Sequence, residues 1–263
     1  MQTRVAFRKG RIVMKTSSFL QLALTALFLT ACDREIPIEP GADGDGHTAP
    51  TRATAALNAA VLEELDFADR QDFEDASRGL IASDPTLQVR ANDDSLIWDL
   101  EANKFIAGDA PASVNPSLWR QARLNNIHGL FEVTEGIYQL RGFDLSNMTL
   151  IEGRTGWIVV DPLTARETAR AAFAFAMQHL EQRPIVAVIF THSHIDHFGG
   201  VLGLLAGGEV QSENLRIIAP EGFMEEATSE NIIAGPAMSR RAMFMCGKQL
   251  ARSERGHVDS GLG

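Results

Sequence analysis

The stretch of this chain richest in chemistry is Thr191-His192-Ser193-His194-Ile195-Asp196-His197, where three of the seven histidines and one carboxylate fall within six residues. In extended backbone, side chains two apart point the same way, so His192 and His194 can clasp one metal ion. Asp196 and His197 follow across a turn and offer a carboxylate and an imidazole at a neighbouring position. That donor set suits Zn2+, with Fe or Mn also compatible. Two such ions about 3.5–4 Å apart lower the pKa of a shared water and supply a nucleophile at neutral pH. Asp196 is then expected to ligate one ion and help hold that nucleophile, as the catalytic carboxylate. A structural zinc site is normally closed by four ligands, often cysteines, and neither Cys32 nor Cys246 is near in sequence.

The elements around the hexad predict how it is held. Residues 185–190 (IVAVIF) form a continuous apolar run, the signature of a strand buried on both faces, and the hexad begins just past its carboxyl end. That end of a strand is where α/β proteins place ligands. Upstream, short strands are expected at 130–133, 136–140, 148–151 and 157–160, the last ending at Asp161-Pro162. Thr164 and Glu167 have capping-box spacing, opening a helix that puts Ala169, Ala172, Phe173, Ala176, Met177 and Leu180 on one face and stops at Pro184. A further strand follows at 215–219, after a glycine-rich segment with a short helix. Strands alternating with helices indicate a layered α/β architecture. Residues 56–125 read as a mainly helical extension, with 72–81 continuing the helical pattern and Pro85, Asn92-Asp93-Asp94 and Pro111 as punctuation.

The amino terminus reads as a targeting segment. Residues 1–31 carry Arg4, Arg8, Lys9, Arg11 and Lys15 with no acid, then an apolar run too short to span a membrane, then Cys32. Leu29-Thr30-Ala31-Cys32 resembles a bacterial lipobox. The expectation is a signal peptide over 1–31, a lipid on Cys32 and a flexible, proline- and glycine-rich tether over 32–55, giving a membrane-anchored lipoprotein facing the periplasm, with Asp33 favouring the inner membrane. Met14 is an alternative start. Without residues 1–31 the net charge moves from −10 to −15, a poor match for nucleic acid. Two cysteines exclude a disulfide framework.

The remaining chemical side chains have ordinary readings. Asp161 either orients a metal-bound histidine or caps a turn. Asn147 reads as a turn residue, Glu221, Glu225 and Glu226 as an acidic helix start, and Cys246 as a small buried side chain. Arg240 and Arg241 read as solvated, and His128 and His179 as structural. His257 lies in a polar, glycine-bounded stretch and is set aside as a ligand.

The His-x-His-x-Asp-His pattern after an apolar strand resembles the metallo-β-lactamase superfamily. Within it, 72–81 (DFEDASRGLI), 114–121 (VNPSLWRQ), 142–152 (GFDLSNMTLIE), 156–163 (GWIVVDPL), 191–200 (THSHIDHFGG) and 219–226 (APEGFMEE) are similar to bacterial alkylsulfatases that hydrolyse dodecyl sulfate. The resemblance implies an αβ/βα sandwich of which 126–263 is the N-terminal half, truncated at the C-terminus. It also implies two zinc ions per complete site, held by His192, His194, Asp196 and His197 with two glutamates and another histidine from later in the chain. Only 66 residues follow His197. The implied activity is cleavage of linear alkyl sulfates to alcohol and sulfate, and the implied assembly is a homodimer. The hexad alone also fits a lactonase, thioesterase or β-lactamase of the same fold, or an inactive remnant with one weak metal. The flanking phrases favour the alkylsulfatase.

Overall fold

A computed structural model describes residues 41–205 and 211–260. The expected signal peptide, Cys32 and the tether up to residue 40 lie outside the described residues.

From residue 41 onward the expected tether is ordered. The Asp43 carboxylate accepts from the backbone N–H of Asp45 (3.1 Å) and of His47 (2.8 Å), closing a turn. His47 then reaches across to Ser253, with Nδ1 3.2 Å from Oγ. Helix α1 (Arg52–Glu64) starts inside the predicted tether, because the Thr51 side chain accepts from Thr54 N–H and caps it.

The extension up to 125 is less helical than its composition suggested. Helix α2 (Gln71–Ser77) ends before Gly79, and strand β1 (Leu80–Ala82) follows where a continued helix was expected. Gly79 has φ +73°, and a Cβ there would sit 2.1 Å from the Glu132 carbonyl oxygen, so only glycine permits this turn into the sheet. A hairpin of β2 (Gln88–Arg90) and β3 (Leu96–Asp99) comes next. Helix α3 (Pro116–Asn125) is capped by the Asn115 side chain, has proline in its first turn, and buries Trp119 and Ala122. These pack with Ile106, Val114 and Val258 in a small second core.

The main sheet has seven strands in the order β1-β4-β5-β6-β7-β8-β9. Strands β4 (Gly129–Thr134), β5 (Ile137–Arg141), β6 (Met148–Glu152) and β7 (Trp157–Val160) pair antiparallel. β7, β8 (Ile185–Ile189) and β9 (Gln211–Ile218) are parallel, linked by helix α4 (Arg166–Ala176) and the short α5 (Val201–Leu205). The core is one-sided. Leu150, Val159 and Val188 share a face and cluster with Ala169, Ala172, Phe173 and Ala176 of α4, as the helical periodicity predicted. The opposite face carries Ile151, Ile158, Val160, Ala187 and Ile189 only half-buried. Strand β8, expected to be buried on both faces, is therefore fully covered on one.

The predicted capping box at Thr164 is not made. Helix α4 begins at Arg166 with no side-chain cap of its own, and the Thr164 hydroxyl has no hydrogen-bond partner. A longer-range group takes the role. The buried Asp144 carboxylate accepts from the N–H groups of Thr164 and Ala165 (3.2 Å each) and from the Thr168 hydroxyl. A full negative charge at the helix start outcompetes a local hydroxyl. Glu167 turns instead to Arg166, and that ion pair lowers its pKa.

Beyond β9, α6 (Phe223–Thr228), a π-helical turn (Ser229–Ala234) and α7 (Gly235–Cys246) run on with no buried residue. Met224, Ile233 and Phe244 all stand exposed there. Among the described residues no helix is long and apolar enough to cross a membrane.

Candidate metal centre

Because β7 and β8 are parallel, their carboxyl ends open on the same edge of the sheet, and the loops that follow meet there. The β7 loop supplies Asp161, whose N–H donates to the Ile189 carbonyl at 3.0 Å. Asp161 has φ +55° and Leu163 φ +64°, either side of Pro162, so the chain turns sharply and Leu163 is driven into the core. Aspartate tolerates the left-handed region better than most residues, whereas at leucine it costs energy that full burial of the side chain offsets.

This turn aims the Asp161 carboxylate at both ends of the hexad. One oxygen accepts from Thr191 N–H at 2.8 Å. The other takes the Thr191 hydroxyl at 2.7 Å and His197 Nδ1 at 2.8 Å. Of the two sequence readings of Asp161, orientation of a histidine is the one that matches these contacts. The network also assigns tautomers. His197 Nδ1 donates to the nearer carboxylate, Asp161, and its Nε2 is left facing Asp196. The single Thr191 hydroxyl proton goes to Asp161, so its oxygen accepts from His192 Nδ1, 3.0 Å away, and the His192 lone pair is on Nε2.

The hexad itself is an extended start followed by a 3-10 turn (Ile195–His197). The His192 ring lies 4.6 Å from that of His194 and 4.1 Å from that of His197, centroid to centroid. Asp196 Oδ2 is 3.2 Å from His197 Nε2. The four predicted side chains are thus brought together past the carboxyl end of β8. This is a donor set of the type zinc takes. The turn is held from behind by the Ser146 hydroxyl, which donates to the Asp196 carbonyl. Gly200 lets the hexad approach the β7 loop: a Cβ there would fall 2.1 Å from the Pro162 carbonyl oxygen.

Two groups near the hexad were not anticipated. Ser146 drew no reading of its own from the sequence, and its role depends on a contact 50 residues away. Glu230 sits on the π-helical turn with Oε1 3.2 Å from His194 Nε2. Glu225 and Glu226 fall in the first turn of α6, as expected, and Arg240 and Arg241 lie exposed on α7. His257 is buried elsewhere, with Nδ1 donating to the Cys246 carbonyl. Cys246 is a free thiol, only half-buried. Asn147 lines a separate cavity of about 330 Å3, with Trp98, Arg141 and Arg252, that includes none of the hexad.

Among the described residues, the trio whose ligand atoms lie mutually within 4.8 Å is Asp43, Asp45 and His47. Of these, Asp43 Oδ1 accepts within the turn and His47 Nδ1 is engaged with Ser253. Among the described residues no three ligand atoms of the hexad meet that spacing, and its four side chains are joined instead by the ring and carboxylate contacts above.

Residues 141–239 match the family described as the metallo-beta-lactamase superfamily. The chain is 51% identical over 210 residues to an (R)-specific secondary-alkylsulfatase of Pseudomonas sp., and 48% identical over 212 residues to an alkyl/aryl-sulfatase of Saccharomyces cerevisiae. Each match takes in 80% of this chain but only 32% and 33% of the relative, so the chain spans about a third of the length of these proteins. Among solved structures, the stereoselective inverting sec-alkylsulfatase Pisa1 of Pseudomonas sp. superposes with a TM-score of 0.75 at 50% identity, over 82% of this chain and 34% of that one. The fold is therefore that of the metallo-β-lactamase superfamily, carried on a chain similar through four fifths of its length to alkylsulfatases.

Proposed function

We propose that the chain takes part in zinc-dependent hydrolysis of linear alkyl sulfate esters to alcohol and sulfate, with His192, His194, Asp196 and His197 as metal ligands. The observation that carries this reading is the convergence of the hexad at the carboxyl ends of parallel strands, in a chain half identical to alkylsulfatases. Zinc held there, two ions in a complete site, would supply a Lewis acid and a water acidic enough to ionise near neutral pH. The protein's own part is orientation. Asp161 fixes His197 and the start of the hexad, and Ser146 fixes the turn that presents Asp196. Asp196, with Oδ2 beside His197 Nε2, would ligate one ion and help hold the attacking water. The acidic body repels an alkyl sulfate at long range, so local positive charge at the site governs its capture.

The same reading includes a lipid on Cys32, anchoring the chain on the periplasmic side of the inner membrane, and a homodimer. The anchor is supported by the basic, apolar and cysteine succession of residues 1–32, and the dimer by the family resemblance. Mass spectrometry of the amino-terminal peptide from cells tests the anchor.

The function is tested on the purified chain by zinc content and by sulfate release from dodecyl sulfate, beside nitrocefin and a lactone. Bound zinc with sulfate release supports the proposal. Turnover of nitrocefin or the lactone without sulfate release assigns the site to another hydrolase of this fold. A zinc-loaded chain inert toward all three overturns activity for this chain on its own.

A further inference from the structure

Asp161 engages His197 and, through Thr191, His192, and neither of these contacts extends to His194. We infer that Glu230 is the positioning residue for His194: it receives the Nε2–H and so leaves the Nδ1 lone pair facing the metal site. The inference rests on the metal-centre reading of the hexad. Glu230 Oε1 lies 3.2 Å from His194 Nε2, and Oε2 accepts the Ser193 hydroxyl at 3.0 Å. The next residue adds a third tie, since the Asn231 side-chain amide donates to the Ser193 carbonyl at 3.2 Å and to Ala227 at 2.8 Å. A neutral imidazole has one donor and one acceptor, so a carboxylate at Nε2 selects the Nδ1 lone pair. His194 thereby presents the opposite nitrogen from His192 and His197, whose Nδ1 atoms are engaged. Carboxylates that orient metal-bound histidines in this way fix both tautomer and ring rotation.

The His194 and Glu230 side chains are 59% and 41% exposed, so simple ion-pair attraction contributes little. Geometry carries the effect: two acceptor oxygens engage two consecutive residues of the hexad, and the adjacent amide fixes the backbone between them. The π-helical turn places Glu230 and Asn231 against the hexad together. Such turns are frequent at functional sites.

The test uses the full chain with 15N-labelled histidine at about pH 8, above the ordinary imidazole pKa of about 6.5. Long-range 15N–1H correlations on the metal-free protein should show His194 protonated on Nε2, and that preference should be lost in Glu230→Ala. Zinc affinity, read by competition with a chromophoric chelator, should fall roughly 10–100-fold in Glu230→Ala. Glu230→Gln keeps an acceptor oxygen and should recover most of both. Protonation of His194 on Nδ1 in the wild-type chain overturns the inference, as does an alanine variant that is folded by its amide spectrum and unchanged in tautomer and affinity. If the alanine variant fails to fold, the wild-type tautomer and the glutamine variant decide. A wild-type chain that binds no zinc sinks the metal-centre reading, and the tautomer measurement still decides the Glu230–His194 pairing.

Discussion

Two carboxylates approach the hexad from two regions of the chain that are held in different ways. Asp161 ends a central strand, is 8% exposed, and makes three hydrogen bonds within a loop anchored by the core. Glu230 comes from residues 223–246, where no residue is buried and contacts with the hexad itself set its position. Precision at the first comes from packing behind the residue, and at the second from several contacts around it. The first is therefore expected to tolerate little change in the sheet beneath it, while the second is insensitive to its own outer surface.

The largest expected effect lies under Asp161. Trp157 starts its strand, is 2% exposed, donates from its indole to the Glu181 carbonyl and packs edge-on against Tyr138. Trp157→Ala should cost about 3–5 kcal/mol in urea unfolding, with loss of zinc binding following from loss of the fold. Asp144→Ala should cost about 1–3 kcal/mol, because the N–H groups of Thr164 and Ala165 lose their acceptor and the Thr168 hydroxyl is left with the Ala165 carbonyl alone. Asp161→Asn keeps a side chain that tolerates the left-handed backbone but removes one oxygen that accepts twice. It should weaken zinc binding roughly 10–100-fold in the chelator competition with little change in the unfolding midpoint.

A smaller, pH-dependent effect belongs to the covered side. His128 is buried against Phe143, with Nε2 accepting the Asp84 N–H, and burial lowers its pKa from the usual 6.5 while the Asp84 carboxylate opposes the shift. The unfolded chain therefore takes up this proton first. The contribution to stability is whole above pH 6.5 and is lost as pH falls from there through the native pKa. A His128→Gln variant should show a flatter acid limb when melting temperature is followed against pH. The smallest change is expected at Phe244, which is 89% exposed on α7: Phe244→Ser should alter stability by no more than about 0.5 kcal/mol. A loss of several kcal/mol there would erase the distinction between the two regions.

What could be read from the sequence was what is local. The hexad, the apolar strand before it and the buried face of α4 each follow from spacing within a dozen residues, and each is present. Errors arose where a distant group decided the outcome. Thr164 had the right neighbours for a cap and lost to Asp144, 20 residues upstream. Leu80–Ala82 joined the sheet through a partner almost 50 residues later, and as a short edge strand with two exposed residues it shows no alternation. Glu230 carried no signal, because an acid in the Ser-Glu-Asn stretch becomes informative only when the fold sets it 3.2 Å from His194.

The clasp between His47 and Ser253 joins residues 206 apart in sequence, and the imidazole also lies over Gly256, where a Cβ would meet it at 2.6 Å. A contact of that span bears a large loop-closure entropy and gains little until the sheet between has formed. It belongs to the final stage of folding and to the first stage of local opening. In native-state hydrogen exchange, the His47 amide held by Asp43 should follow a low-energy local opening, long before the amides of β6 and β7 report global unfolding.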